Sequence, residues 1–424
     1  MSDPRPVSGL ERLWLAAGRL APPFALHFVV ELSEALPKSD LERAILALHG
    51  AWPSLHVRLE GQLRGARWCP NPAPPALHHH PRLPWAEGPL PAALLDALNG
   101  GAGPDPERGP TLWWSLCDGP RPLLVLSGLH AILDGRTGYA ALAALFGCMR
   151  GEAPPVPGPP LHEGQRAAAL GARLIPPPPA DQAAPFSPDG QPEAQGSAVV
   201  RRRVEVAPRR PLALLLAAIA EGRPGLPLRV DLPVDLRAPE LGLRLGNLTG
   251  LLRLTLPTGG PPDRTARAEL IQNTITQSIS DGAHLGGTLE AQRLCGLPLW
   301  LLAGVGRRRA RAERRAERVS VSMTLSNLGR VDLAPLFAGS VRAISCATLP
   351  PPSPGLPVLC TMTGVVDAAG GCALELVAAA PAAWISPEAL DGLLRHWAAQ
   401  LGGSAPVGAP ASVDVRVAPQ PPVP

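Results

Sequence analysis

PLLVLSGLHAILDGRTGYAALAALFG, residues 122–147, is the stretch whose reading decides this 424-residue chain. It opens as a mostly apolar run fit for a buried strand, and beyond it Leu142, Leu145, Phe146 and Met149 recur at helical spacing. His130 stands at the join, with Asp134 and Gly135 at fixed offsets. A buried strand that ends in a histidine presents an imidazole at the floor of a cleft, and imidazole titrates where proton removal near neutrality needs it. Asp134, in the turn that opens the helix, is expected to fold back and brace that turn. Gly135 is expected to supply the backbone torsions of a tight reversal. The plainer reading, a hydrogen-bonded structural histidine at a strand end, stands beside the catalytic one.

Two stretches further on set the context: LPVDLRAPELGLRLGNLTG at 232–250 and VSMTLSNLGRVDL at 321–333. Together with the His-x-x-x-Asp-Gly motif, and in this order, the chain resembles over nearly its whole length the condensation-domain and chloramphenicol-acetyltransferase superfamily. The likeness is to its stand-alone alcohol acetyltransferase and condensation-like branch. The resemblance implies an α+β fold of two chloramphenicol-acetyltransferase-like halves, each a mostly antiparallel or mixed sheet with helices, and a tunnel between them. It implies an acyltransferase that takes a CoA or carrier-protein thioester to an alcohol or amine acceptor, with His130 as general base. No permanently bound cofactor is implied; acyl-CoA or an acyl-carrier thioester is the co-substrate.

The motif aspartate of this family pairs with an arginine of the other half, so the resemblance makes Arg237 the partner of Asp134. Ser326 and Asn327, or Asn247 and Thr249, offer hydroxyl and amide groups for the oxyanion or the acceptor. Two departures stand out. Condensation domains carry two adjacent histidines where this chain has Leu129 and His130, and the Asp-Phe-Gly-Trp-Gly motif of plant BAHD acyltransferases is missing. Both weigh toward ester or simple amide formation over peptide condensation.

Composition bounds the alternatives. Hydrophobic residues are 46% and charged residues 17%, which suits a folded core and not a disordered chain. Basic and acidic residues number 39 and 35, a net charge of +4, and aromatics are 4%, so neither the charge nor the stacking platforms of a nucleic-acid binder are present. Lys38 is the only lysine, so no phosphate loop ends in one. It falls in a Pro-Lys-Ser-Asp turn ahead of a capping-box start at Ser39–Glu42. The seven cysteines (Cys69, Cys117, Cys148, Cys295, Cys346, Cys360, Cys372) lie far apart without Cys-x-x-Cys and read as small hydrophobes in a reducing compartment. With no signal-like apolar run at the N-terminus and no membrane span, the expected location is the cytoplasm and the expected state a monomer.

Along the chain, strands are expected at 24–33, 55–61, 63–69, 111–117 and 121–129, with helices at 39–50 and after His130. Residues 151–197 are dominated by Pro, Gly and polar residues and read as a crossover linker between an N-terminal half, 1–150, and a C-terminal half, 198–424. The second half reads as strands at 197–206, into Asp235, after Asn247, and near 319–325, 356–364 and 371–378. Its helices are expected near 208–221, 262–279, 287–304 and 386–402.

Plainer accounts cover the remaining features. His78, His79 and His80 suit a surface strand better than a metal site, because neighbours on a strand point to opposite faces. The arginines from Arg307 to Arg318, with Glu313 and Glu317, suit a solvated helix face, or more sharply a patch for coenzyme A phosphates or an acyl carrier protein. Ser326-Asn327-Leu328-Gly329 can be a simple turn. Two other functions remain open: a catalytically inactive condensation-like docking module of a biosynthetic assembly, and a thioester hydrolase with water as acceptor.

Overall fold

The computed structural model describes residues 4–61, 65–99, 105–172, 196–205, 207–221, 228–256, 261, 263–293, 296–316, 318–353 and 355–402. About half of the expected linker, residues 173–195, lies outside them, as do Cys295 and Glu317. The first part of the chain runs β1 (Arg5–Pro6), α1 (Gly9–Gly18), β2 (Ala25–Leu32), α2 (Lys38–Ala51), β3 (Val57–Glu60), β4 (Arg67–Pro70), β5 (Ala76–His80), β6 (Gly88–Pro89), α3 (Ala92–Leu98), β7 (Leu112–Cys117), β8 (Leu123–Leu129), α4 (Gly135–Met149) and α5 (Glu163–Ala169). The second runs β9 (Ser197–Val204), α6 (Pro211–Glu221), β10 (Leu228–Asp235), β11 (Thr249–Leu256), α7 (Arg264–Ser280), α8 (Ala283–Arg293), α9 (Leu299–Ala316), β12 (Met323–Asp332), β13 (Phe337–Ala338), β14 (Val341–Leu349), β15 (Leu359–Val366), β16 (Cys372–Pro381) and α10 (Pro387–Gly402).

These elements make an α+β architecture of two lobes. One is built on a six-stranded sheet in the order β13-β14-β2-β8-β7-β5, the other on a seven-stranded sheet in the order β11-β10-β12-β15-β16-β9-β6. A small sheet, β1-β4-β3, completes the first lobe. Strand alternation explains how the large sheets are used. Phe28, Val30 and Leu32 of β2 enter a core with Leu41, Ile45 and Leu48 of α2 and Leu142 and Leu145 of α4. Val29 points the other way and, with Leu123 and Val125 of β8, packs on Val199, Val377 and Ala379 of the second sheet. β8 is therefore buried on both faces, and the chain leaves it at the seam between the lobes.

An ionic cluster crosses the same seam. Arg201 donates from Nε and Nη2 to the carboxylate of Glu375, both at 3.0 Å, and its Nη2 lies 3.1 Å from Glu31 Oε1. Trp85 Nε1 donates to Glu31 at 2.6 Å, and Ser345 Oγ donates to Glu375 at 2.8 Å. Glu31, Arg201 and Glu375 are buried, so each charge depends on the others for solvation.

Several elements differ from the sequence reading. β14, for which no strand was expected, pairs antiparallel with β2 and so joins the sheet of the first part of the chain. The capping box at Ser39 does not form: α2 begins at Lys38 with Pro37 as N-cap, which places Ser39 already inside the first turn. The helix expected at 287–304 is two, because Pro298 separates α8 from α9, and α9 then continues through the arginine cluster. The expected linker contains α5, whose Glu163 and Ala167 are fully buried against neighbouring elements. α1 was also not foreseen, although Ser8 and Glu11 form a complete capping box at its start.

Candidate active site

β8 ends at Leu129 and α4 begins at Gly135, so residues 130–134 form the turn between them. His130 is half-buried there. Its backbone N–H donates to Phe24 O at 3.0 Å, and its carbonyl accepts from Asn247 Nδ2 at 2.7 Å. Its Nδ1 lies 3.0 Å from Leu133 O. A carbonyl oxygen can only accept, so Nδ1 carries the proton and Nε2 is left with the lone pair of a base. Burial pushes the imidazole below its ordinary value, against the opposing pull of the Leu133 carbonyl and the Asp134 charge, so it is neutral at pH 7.

Two aromatic rings lie nearly parallel to that imidazole. Trp14 stacks on it with centroids 4.8 Å apart and 13° between planes, and Phe24 lies 5.9 Å away at 21°. Trp14 and Phe24 are also stacked on each other, at 5.5 Å.

Asp134 is the N-cap of α4. Oδ1 accepts from Thr137 N at 2.9 Å, satisfying one of the unpaired donors of the first turn. Its remaining capacity faces the other part of the chain. Arg237 Nη1 donates to Oδ2 at 2.9 Å, Nη2 to Oδ1 at 3.2 Å, and Leu248 N to Oδ2 at 2.9 Å. Burial pushes the Asp134 carboxyl upward, but the Arg237 guanidinium and these N–H donors outweigh it and hold it below the usual carboxylate range. Arg237 also donates to Asp235 Oδ1, Thr137 Oγ1, Gly246 O and Arg244 O, so its fork is fully used.

The Ser326–Gly329 stretch is a bulge. β12 pairs parallel with β15 in register up to Asn327 and again from Arg330, and Gly329 takes φ +75°. The bulge brings Leu328 against the motif turn: a Cβ on Gly135 would lie 2.4 Å from Leu328 Cδ2. This corrects the reason given for Gly135. Its φ is not positive, and what the position requires is room for Leu328.

No family model matches the chain, and no curated protein does. Solved structures match along almost its full length. Against a mutant of the starter condensation domain of rhizomide synthetase, crystallised in complex with C8-CoA and Leu-SNAC, the TM-score is 0.61 at 14% identity, covering 95% of both chains. The epimerization domain from the third module of tyrocidine synthetase B gives 0.58 at 9%, covering 95% of this chain and 97% of that one. The fold is that of the condensation domains. Polyketide synthase associated protein 5 from Mycobacterium tuberculosis is similar in the same way, with a TM-score of 0.59 at 16% identity over 93% of this chain and 98% of that one.

Within this condensation-domain fold the three motifs meet at one turn, but the four candidate oxyanion or acceptor groups are not equivalent. Asn247 spends its Nδ2 on the His130 carbonyl, and its buried Oδ1 has no partner among the described residues. Asn327 is exposed and its Oδ1 accepts from Gly329 N at 3.1 Å. Ser326 and Thr249 are half-buried and their hydroxyls make no hydrogen bond to a described residue. The main residues missed from sequence are Trp14 and Phe24, which touch the imidazole, and Thr137, which relays between Arg237 and Gly246 O.

A cavity of about 290 Å³ opens beside the ring stack, walled by Trp14, Phe24, Leu59, Leu129, Ala131 and Leu299 among others. Arg19 and Glu107, an ion pair at 3.5 Å, also border it, whereas the His130 ring is not part of its wall. Among the described residues no cluster of three or more His, Cys, Asp or Glu can hold a metal, and no helix is long and apolar enough to cross a membrane. Cys69, Cys117, Cys346 and Cys360 are buried free thiols, and Cys148 and Cys372 are half-buried ones.

Proposed function

We propose that this protein is an acyltransferase that moves an acyl group from a CoA or carrier-protein thioester to an alcohol or amine, with His130 as general base. The observation that carries the reading is the tautomer: Nδ1 is tied to the Leu133 carbonyl, so Nε2 is the proton acceptor. The likeness to condensation domains, one of them crystallised with C8-CoA, supports the choice of thioester chemistry.

The acceptor's O–H or N–H proton passes to Nε2 while its electron pair forms a bond to the thioester carbonyl carbon. The tetrahedral intermediate then collapses, the C–S bond breaks, and the departing thiolate takes the proton back from the imidazolium. No covalent enzyme intermediate is needed, because a thiolate leaves readily. General-base assistance of this kind is worth on the order of 10²–10⁴ in rate. Ser326 and Thr249, with unengaged hydroxyls, are the groups left to donate to the oxyanion, a contact worth roughly 3–4 kcal/mol when well aligned. Asp134 and Arg237 hold the turn and take no proton. The same reading takes the protein as a cytoplasmic monomer without a permanent cofactor.

The test is thiol release from a panel of acyl-CoAs of graded length, each with a set of alcohols and amines, for wild type and His130→Ala. Wild type should outpace the variant by about 10²–10⁴ in at least one combination, with product mass equal to acceptor plus acyl group less the hydrogen that leaves with the thiol. Equal rates for the two proteins would end the catalytic claim, and free acid as sole product would make the protein a hydrolase.

A further inference from the structure

α1 brings Trp14 face to face with His130, a contact that nothing in the motif turn requires. The indole is half-buried, its Nε1 is buried without a partner among the described residues, and its ring forms part of the wall of the 290 Å³ cavity. When Nε2 takes a proton, a cation appears in an apolar setting. The neighbouring charges are already committed. Asp134, on the same turn, is saturated by Arg237, Thr137 N and Leu248 N. On α1, Glu11 is paired with Arg5, and Arg12 donates to Leu297 O. Across the cavity Arg19 is paired with Glu107, beside Asp105. Phe24 offers only a more distant ring, and Asn247 binds the backbone carbonyl. What stands directly against the imidazole is the electron-rich face of an indole, the best aromatic partner for a cation.

We propose that Trp14 is a positioning residue for His130, whose indole face fixes the plane of the imidazole and stabilises the imidazolium formed during transfer. The proposal rests on the reading of His130 as base, but its test does not depend on turnover. The full chain is labelled with ¹³C,¹⁵N-histidine, and the His130 ring signals are identified among the ten histidines by their loss in His130→Ala. In wild type the ring protons should lie upfield of their ordinary positions, under the indole. In Trp14→Leu they should return toward those positions, and the His130 pKa should fall by about 0.4–1.5 units. Trp14→Phe keeps an aromatic face and should retain most of both effects. A pKa unchanged or raised in Trp14→Leu, or a fall as large in Trp14→Phe, overturns the proposal. Should Trp14→Leu not fold, the wild-type shifts decide alone, because ordinary positions would mean no stack. A coupled Trp14–His130 pair in a protein whose thiol release ignores His130 would sink only the acyltransferase reading. Transfer dependent on His130 without the coupling would sink only this one.

Discussion

Arg237 grips the carboxylate of Asp134 with both terminal nitrogens, at 2.9 and 3.2 Å, across 103 residues of sequence. The pair is the tie between the motif turn and the connection that follows β10, and both side chains are nearly buried, at 11% and 6% exposure. Removing Arg237 leaves Asp134 buried with only backbone donors, and removing Asp134 strands a guanidinium. Either Arg237→Ala or Asp134→Ala should destabilise the protein by about 3–5 kcal/mol in chemical denaturation, and the double variant should lose much less than their sum. The pH dependence follows from the depressed carboxyl. Its contribution is present above the ordinary value of 3.8 and is lost as pH falls through the lower folded value, so Arg237→Ala should lose this acid-side dependence. Additive losses in the cycle would show that the two do not act together.

Gly135 and Leu328 make a second tie of a different kind, steric instead of ionic. A methyl group on Gly135 would sit 2.4 Å from Leu328 Cδ2, far inside contact distance. Gly135→Ala should therefore cost up to about 1–3 kcal/mol, less to the extent that the half-buried Leu328 end swings aside, and Leu328→Ala in the same chain should recover part of that loss by vacating the space. Thermal melts of the two single variants and the double variant decide it. Equal losses with and without Leu328 would show that this contact is not what excludes a side chain from the position.

The contrast between these ties marks what a sequence can carry. The strand, the histidine and the helix N-cap are local, set by alternation, spacing and a short polar side chain, and they read directly from residues 122–147. The fold class agrees with what the family resemblance implies, and Arg237 lies within hydrogen-bond distance of Asp134. Contacts made only by packing did not read. Trp14 sits on a ten-residue helix with nothing in its sequence to aim it at His130, and Leu328 reaches Gly135 only because a bulge re-aims β12. β14 shows the same limit differently. VRAISCATL alternates in burial only over its first four residues, with Arg342 and Ile344 exposed, and is buried throughout from Ser345, and its pairing with β2 is a long-range outcome that no local pattern specifies.

Arg201 is the hub of the seam between the lobes, and its loss should be felt as strongly as any core truncation. In Arg201→Met the carboxylates of Glu31 and Glu375 stay buried with one fewer cation between them. The expected penalty is about 3–5 kcal/mol, with partial recovery when Glu31→Gln is added. Urea titrations followed by tryptophan fluorescence measure both. Full stability of Arg201→Met would show that the cluster is solvated more than its burial implies.

Glu163 gives a pH dependence of opposite sign to that of Asp134. Burial, and then the nearby Glu11 charge, push its carboxyl up from 4.5 to about 7. Leu10 N donates to Oε1 at 3.2 Å, while Oε2 is buried without a partner among the described residues. Because the folded value exceeds the unfolded one, the native state holds a proton between roughly pH 4.5 and 7 that the unfolded chain has released, and stability falls as pH rises through that window. Glu163→Gln keeps the shape without the charge, so it should flatten this slope and be more stable than wild type at pH 8, while the two converge near pH 4. Denaturation midpoints at four or five pH values test it, and a wild-type slope that persists in the variant would place the titrating group elsewhere.

Asn247 joins the motif turn to its supports through the His130 carbonyl, which it holds at 2.7 Å while its own Oδ1 has no partner among the described residues. Replacing it probes whether that hold matters to the base. Asn247→Ala removes the donor and leaves a carbonyl unpaired, a loss of about 1–3 kcal/mol in stability. Asn247→Asp sets a carboxylate within reach of the His130 backbone carbonyl, and where it is ionised its charge raises the proton affinity of His130. If His130 is the base, the acid limb of the pH–rate profile for thiol release should move upward in Asn247→Asp, since activity is lost where the imidazole protonates. The limb should stay in place in Asn247→Ala, even as the rate drops. Limbs that coincide in wild type and both variants would mean that the group titrating in the reaction is not held by Asn247, and His130 would cease to be the candidate for it.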